Sequence, residues 1–361
     1  MSFITGLILI DAPASALNNQ GTIPGSMADN AVGVKAIQTK EGVYPYVSAQ
    51  AFRYWLRTSL EQGNQQGKWN WKTSPVFREQ KIAYTDANPI LYCDDDLFGY
   101  MRAPSKKTDA VTARETSGLI AGATPTKETV TRVSPFKVST FISVGPVKLV
   151  QDFGTMSRHT GDPVPHEHQF YRTTLQGLFS LDLHAAGTFT YVERTGYLNL
   201  DESRKELAQN NKLEHLENEK AYRLPRTLRL ERVQTLLKGL AELNGGAKQA
   251  LHYTDVSPDL LVLAVTKGGN HIFSHIVGNQ GEWPSINILA LEESLRIFNE
   301  TLLSKVYIGW VRGFLDSERT KLESALEDIL NEWKERMYIA HPQEACLALI
   351  EELEKHPEWL D

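Results

Sequence analysis

The stretch VSAQAFRYWLRTSL, residues 47–60, decides the fold. At about 100° per residue, Phe52, Trp55, Leu56 and Leu60 fall on one side of a helix. Gln50, Arg53, Tyr54 and Arg57 fall in a sector on the other, and Ser48 is placed to cap the start. The apolar stripe predicts a helix packed on a sheet. The outer sector gathers two guanidinium groups, an amide and a phenol near the helix start. Free backbone N–H groups there favour phosphate, and arginine donates to phosphate in pairs. Periodicity by itself fits a solvated amphipathic face at least as well.

Upstream of this helix, Phe3–Asp11 is rich in Ile and Leu and predicts a buried strand. APASALNNQGTIPGSMADN (12–30) predicts a loop. Downstream, PFKVSTFISVG (135–145) alternates as a strand, and QDFGTMSRHTGDPVPHEH (151–168) reads as a loop-like excursion. QFYRTTLQGLFSLDLHAAG (169–187) predicts a strand or bent hairpin. Pro225–Leu243 predicts an amphipathic helix closed by Asn244-Gly245-Gly246, and LLVLAVT (260–266) a buried strand. The order strand, helix, strand, strand, helix, strand is the ferredoxin-like pattern of RNA-recognition folds. The expected class is therefore α+β, with a ferredoxin-like, RNA-recognition-like palm over 1–290. Long insertions are expected at about 63–133 and 146–170, and a helical C-terminal region over 291–361.

A chain of 361 residues with 41% hydrophobic and 23% charged content is ordinary for a globular protein. Cys93 and Cys346 form neither a metal-ligand spacing nor a disulfide framework, which leans towards a reducing cytoplasm. The apolar start lacks a basic segment before it, and no stretch approaches the roughly 20 apolar residues of a membrane span. No membrane partner is expected. The net charge of −6 argues against promiscuous nucleic-acid binding. The first third is nonetheless basic, through Arg53, Arg57, Arg78, Lys81, Arg102, Lys106, Lys107, Arg114 and Lys127. Positive charge gathered on one surface can hold nucleic acid on an acidic protein.

Asp94-Asp95-Asp96 reads as a solvated cap before Leu97-Phe98-Gly99 rather than a cation site. His159, Asp162, His166, Glu167 and His168 form the nearest thing to a ligand cluster, but Gly161, Pro163 and Pro165 argue for a projecting loop. No metal or cofactor is expected. The sequence has no Walker A loop, G-x-S-x-G elbow, H-E-x-x-H or dinucleotide fingerprint. Two rival readings stay open: a metal-dependent RNase using Asp29 or the histidine cluster, and a regulator binding duplex DNA. Against the second stands the lack of a recognisable helix-turn-helix.

SAQAFRYWLR (48–57) resembles the Ser-x-Gln-x-x-[Lys/Arg]-x-x-x-Arg helix of CRISPR Cascade backbone subunits of the Cas-seven superfamily, specifically the DevR-type members of type I-B systems. The resemblance continues in LILIDAPASALNN (7–19), DDDLFGYM (94–101), SPFKVSTFISVGP (134–146), HQFYRTTLQGLFSLDL (168–183) and GGAKQALHYTDVSPDLLVLAV (245–265), in the same chain order. It implies a palm that lines up head-to-tail along guide RNA, a helical web, and a thumb hairpin that reaches the neighbour and displaces a nucleotide.

Carried onto this chain, the resemblance puts Asn18 in the loop after the first strand and guide phosphates on Ser48, Gln50, Arg53 and Arg57. Tyr54 stands where relatives often place a second basic residue. Gly245, Gly246 and Lys248 would form a glycine-rich loop approached by RNA. Met101 would lie near the RNA path, with Phe98 and Gly99 structural. On the thumb, Arg158 and His159 would touch RNA, and Phe153 or Met156 would wedge at a displaced base. The implied partners are crRNA, target DNA through the guide, other copies of the chain and other Cascade subunits. No catalysis is implied.

Overall fold

The computed structural model describes residues 1–22, 31–79, 82–103, 124–126, 128–158, 160–281 and 283–361. Its principal elements begin, in chain order, with β1 (Ser2–Ser15), β2 (Ala31–Val34), β3 (Ala36–Gln38), β4 (Val43–Val47), α1 (Ala49–Gln65) and α2 (Cys93–Phe98). Next come β5 (Phe136–Val138), β6 (Phe141–Ser143), β7 (Val150–Met156), β8 (Val164–Asp182) and α3 (Arg226–Ala241). The last are β9 (Leu260–Lys267), β10 (Val306–Trp310), β11 (Met337–Ala340) and α4 (Pro342–Lys355).

The result is a mixed α/β architecture built on one large sheet. Its spatial order is β11-β10-β9-β1-β8-β6-β4-β3. The central strand β1 pairs antiparallel with β9 on one side and β8 on the other. Alternation along β1 sorts its side chains between two cores, as a strand buried on both faces requires. Ile4, Ile8, Ile10 and Ala12 join α1, α3 and α4 in one core, while Leu7 and Leu9 join the C-terminal segments in the other.

The helix read from residues 47–60 is present and runs on to Gln65. Phe52, Trp55, Leu56 and Leu60 are its buried stripe, at 5% exposure or less. Full burial of such side chains contributes about 1.5–3 kcal/mol each. Close approach of α1 to α3 occurs at Gly239, where a Cβ would lie 2.4 Å from Leu60 Cδ2.

Several expectations are corrected. The loop expected from residue 12 begins later, because β1 continues to Ser15 by pairing with β8. The strand expected over 135–145 is two short ones, interrupted at Ser139, whose hydroxyl accepts from Leu178 N (2.8 Å). The excursion 151–168 and the strand 169–187 are not separate units. β8 is continuous: Val164–Phe170 pairs with β7 in a projecting hairpin, and Tyr171–Asp182 lies in the central sheet. The C-terminal region expected to be helical has helices at Ile288–Ile297, Asp316–Ala325 and Pro342–Lys355, but it also supplies two sheet strands, β10 and β11, which pair parallel to each other. α3 ends at Ala241 with Glu242 as its cap residue, so Gly245 and Gly246 do not cap it.

The largest correction concerns Asp94-Asp95-Asp96. They form α2 and are 2%, 1% and 0% exposed, not solvated. Asp96 accepts from Arg132 (2.5 Å), Arg232 (2.7 Å) and Gly187 N (3.1 Å). Asp94 accepts from Ser74 N (2.8 Å) and Asp95 from Asn88 N (2.9 Å). The basic character of the first third is correspondingly spent inside, as Arg102 pairs with Asp86 at 3.4 Å. Lys81, Lys106, Lys107, Arg114 and Lys127 lie outside the described residues.

Gly99 ends α2 at φ 72°, ψ 173°, a region open essentially to glycine alone. A Cβ there would meet Arg132 O at 2.4 Å. Gly99→Ala is expected to lower stability by about 2–4 kcal/mol, from backbone strain plus displacement of the backbone at Arg132. A shift of the urea midpoint at unchanged slope measures it, and a loss below about 1 kcal/mol would contradict this account.

Candidate nucleic-acid interface

Ser48 caps α1 as the sequence predicted, its hydroxyl accepting from Ala51 N (3.3 Å). On the outer face Gln50 is exposed and Tyr54 is 65% exposed. The two arginines are not free on that face. They lie on the flank of α1 against β5 and α2, each half-buried. Arg53 Nη2 donates to Phe136 O (3.0 Å). Arg57 lies over the Phe98 ring, 4.9 Å from its centroid, with Nε 3.6 Å from Asp94 Oδ2. Burial, then the neighbouring Arg57 charge, lowers the pKa of Arg53.

Beside α1 is a cleft lined by Leu17, Asn18, Tyr54, Trp55, Gly245 and Gly246. Residues widely separated in sequence meet here for physical reasons. Asn18 Nδ2 donates to Tyr46 O (3.2 Å), fastening the end of β1 to the strand that leads into α1. Ser59 Oγ accepts from Asn244 N (2.9 Å) and lies 3.0 Å from Asn244 O, pinning the glycine loop to α1. Gly245 has φ +155° and Gly246 φ +99°; a Cβ would lie 2.6 Å from Trp55 Cγ at the first and 2.7 Å from Leu17 Cδ2 at the second. The missing side chains let the loop backbone close on Trp55, which is why glycine is needed.

Gln249 holds the far side of the loop. Its Nε2 donates to Gly245 O and Thr254 O, and its Oε1 accepts from Thr254 N. No sequence signal marked Gln249 or Ser59. Lys248 follows in a left-handed conformation, φ +53°, and burial lowers its pKa.

The β7–β8 hairpin presents Phe153 and Met156, each 62% exposed. Being three residues apart on one strand, they point to opposite faces. Arg158 is exposed at the tip, while His159 lies outside the described residues. Met101 is 70% exposed on the strand Tyr100–Arg102 and does not line the cleft.

At the hairpin root, buried His168 faces His252 with ring centroids 5.4 Å apart, and its Nε2 is 3.5 Å from Asp152. Burial, the largest cause, lowers the pKa of both histidines. Among the described residues, no group of three or more His, Cys, Asp or Glu side chains is placed to hold a metal ion. Asp29 lies outside the described residues. Among the described residues, no helix is long and apolar enough to cross a membrane.

No curated protein matches the chain. Among solved structures, a chain of a "CRISPR RNA-guided surveillance complex" is similar at 13% identity and TM-score 0.45, over 85% of this chain and 87% of that one. A chain of a "CRISPR RNA-guided surveillance complex, pre-nicking" is similar at 12% identity and TM-score 0.48, over 98% and 100%. The sequence model of one family, the CRISPR-associated negative auto-regulator DevR/Csa2, matches residues 8–280. With three quarters of its length matched in this way, the chain belongs to the DevR/Csa2 family.

Proposed function

We propose that this chain is a non-catalytic, guide-RNA-binding backbone subunit of a type I-B CRISPR surveillance complex, lining up head-to-tail on crRNA and presenting it to target DNA. The observation that carries the reading is the convergence, on one cleft and its rim, of Asn18, the outer face of α1 and the Gly245–Gly246 loop. Loop backbone without Cβ atoms, a helix N-terminus and flanking guanidinium groups suit a phosphate chain of any sequence. A guide holder needs that indifference, since base pairing carries the sequence.

A ferredoxin-like palm fits the sheet, in which β9, β1, β8 and β6 lie in the order fourth, first, third, second. On β1 and β9 both sheet faces are covered by core. Bases therefore could not stack on these strands as they do on an RNA-recognition domain, which favours a path along α1 and the glycine loop. The β7–β8 hairpin is the proposed thumb within the insertion 146–170, with Phe153 serving one face and Met156 the other. Residues 63–133 are the proposed web, the partners are further copies and other Cascade subunits, and the setting is the cytoplasm.

The test is to purify the chain after co-expression with a guide and measure its absorbance ratio and extracted nucleic acid. Bound material that RNase digests and DNase spares is expected. Protein free of RNA under these conditions would refute the assignment. Binding of duplex DNA instead would favour the auto-regulator of the family's name. Metal-dependent cleavage lost in His166→Ala or Asp29→Ala would favour an RNase.

A further inference from the structure

We infer that Asp94 and Phe98 are positioning residues for Arg57, fixing its guanidinium so that its outer donors stay aimed at a phosphate beside α1. The inference rests on the RNA-binding reading above and assigns the acidic-Leu-Phe-Gly run a task in it.

The geometry is a seat with a floor and one wall. The Phe98 ring is the floor, 4.9 Å below the guanidinium carbon of Arg57. Asp94 Oδ2 is the wall, 3.6 Å from Nε. Both are immobile. Asp94 is 2% exposed and bonded to Ser74 N, and Phe98 meets Trp71 and Phe136 edge-on. Arg57 is 33% exposed on its side chain, so the seated group still reaches solvent. Among the described residues no hydrogen bond consumes its donors, whereas Arg53 spends one on Phe136 O. Arg57 is thus oriented but unspent, the condition a ligand-facing arginine needs.

Phe98 belongs to the core and Asp94 accepts from Ser74 N, but the charge on Asp94 does nothing evident for folding. Desolvation first, then the Asp95 charge, pushes the pKa of Asp94 up to about 6. A carboxylate with a raised folded-state pKa adds stability below that value and loses it as pH rises through it. At pH 7.5 its charge therefore weighs against the fold, and Asp94→Asn should leave the melting temperature unchanged or higher.

This separates positioning from two simpler accounts. Neutralising a carboxylate near RNA should tighten binding if only net charge matters. A purely structural Asp94 should lose stability when replaced. Positioning alone predicts a variant that is at least as stable and binds more weakly.

The experiment uses the full chain and a labelled, guide-length single-stranded RNA of mixed sequence at pH 7.5. Asp94→Asn should bind about 5- to 10-fold more weakly, a part of one charge-assisted contact, since Arg57 itself is still present. Adding Asp94→Asn to Arg57→Ala should cause no further loss, because both remove the same contact. Unchanged or tighter binding by Asp94→Asn, or losses that multiply independently, would overturn the inference. Should Asp94→Asn fail to fold, Phe98→Leu removes the floor and decides by the same cycle. If Arg53→Ala/Arg57→Ala keeps full RNA affinity, it is the RNA-binding reading of this helix that fails.

Discussion

An Arg53→Ala/Arg57→Ala variant is expected to lose at least about 100-fold in affinity for guide RNA, uniformly across spacer sequences. On the proposed reading each arginine would supply a charge-assisted contact of about 1.5–3 kcal/mol to phosphate, and neither would read a base. Its salt dependence should also flatten, by about 1.4 in the log–log slope for two single-strand phosphates. The fold should tolerate the change. The Phe136 carbonyl that loses Arg53 still accepts from Ser134 Oγ, and the apolar stripe of α1 is untouched. Titrations at several salt concentrations, alongside a thermal melt, check both parts. Full RNA occupancy at raised salt would remove this helix from the interface.

Asp96→Ala is expected to cost about 3–5 kcal/mol of stability, as much as emptying a core aromatic site. Asp96 is fully buried between two arginines whose side chains are 3% and 10% exposed. Removing it strands both charges and leaves the Gly187 N–H without its acceptor. Arg132 compounds the loss, since it also donates to Ala185 O, Thr188 O and Asn199 Oδ1, and so ties α2 to the segment that follows β8. Against a typical stability of about 5–15 kcal/mol, this should cut soluble yield sharply. Urea titration measures it, with Asp96→Asn expected in between. A cost under about 1 kcal/mol would mean that the arginines find other partners.

What could be read from the sequence was local. The helix at 48–60 was legible because its period, its cap and its apolar stripe all lie within one window. β9 was legible as an unbroken apolar run. The aspartate run was misread because its partners, Arg132 and Arg232, stand 36 and 136 residues from Asp96, and only the fold brings them in. Gly245 was read in part as a helix stop. Its need for glycine comes from Trp55, which is nowhere near it in sequence. β10 and β11 were hidden among helical segments, each too short to show a period before the sheet edge paired with them. Asn18, Tyr54 and the glycine pair line one cleft that no single window of sequence could show. What the sequence could not show is that Arg53 and Arg57 are turned onto the flank of α1 by Phe136, Phe98 and Asp94.

The continuity of β8 has a mechanical consequence. A projecting arm built as a separate hairpin would swing on its connecting residues. Here one unbroken backbone runs from the arm into the middle of the sheet, with no glycine between His166 and Gln176 to soften it. The arm therefore behaves as a cantilever, about 20 Å long from its root at Phe170 to Val164, clamped by the ladder with β1 and braced by β2 at Glu167 and His168. Load applied near Phe153 or Met156 is carried as bending of the whole plate rather than rotation at a joint. A plate loaded in this way sets a fixed pitch between whatever it touches at either end, and it resists both stretching and shortening of that pitch.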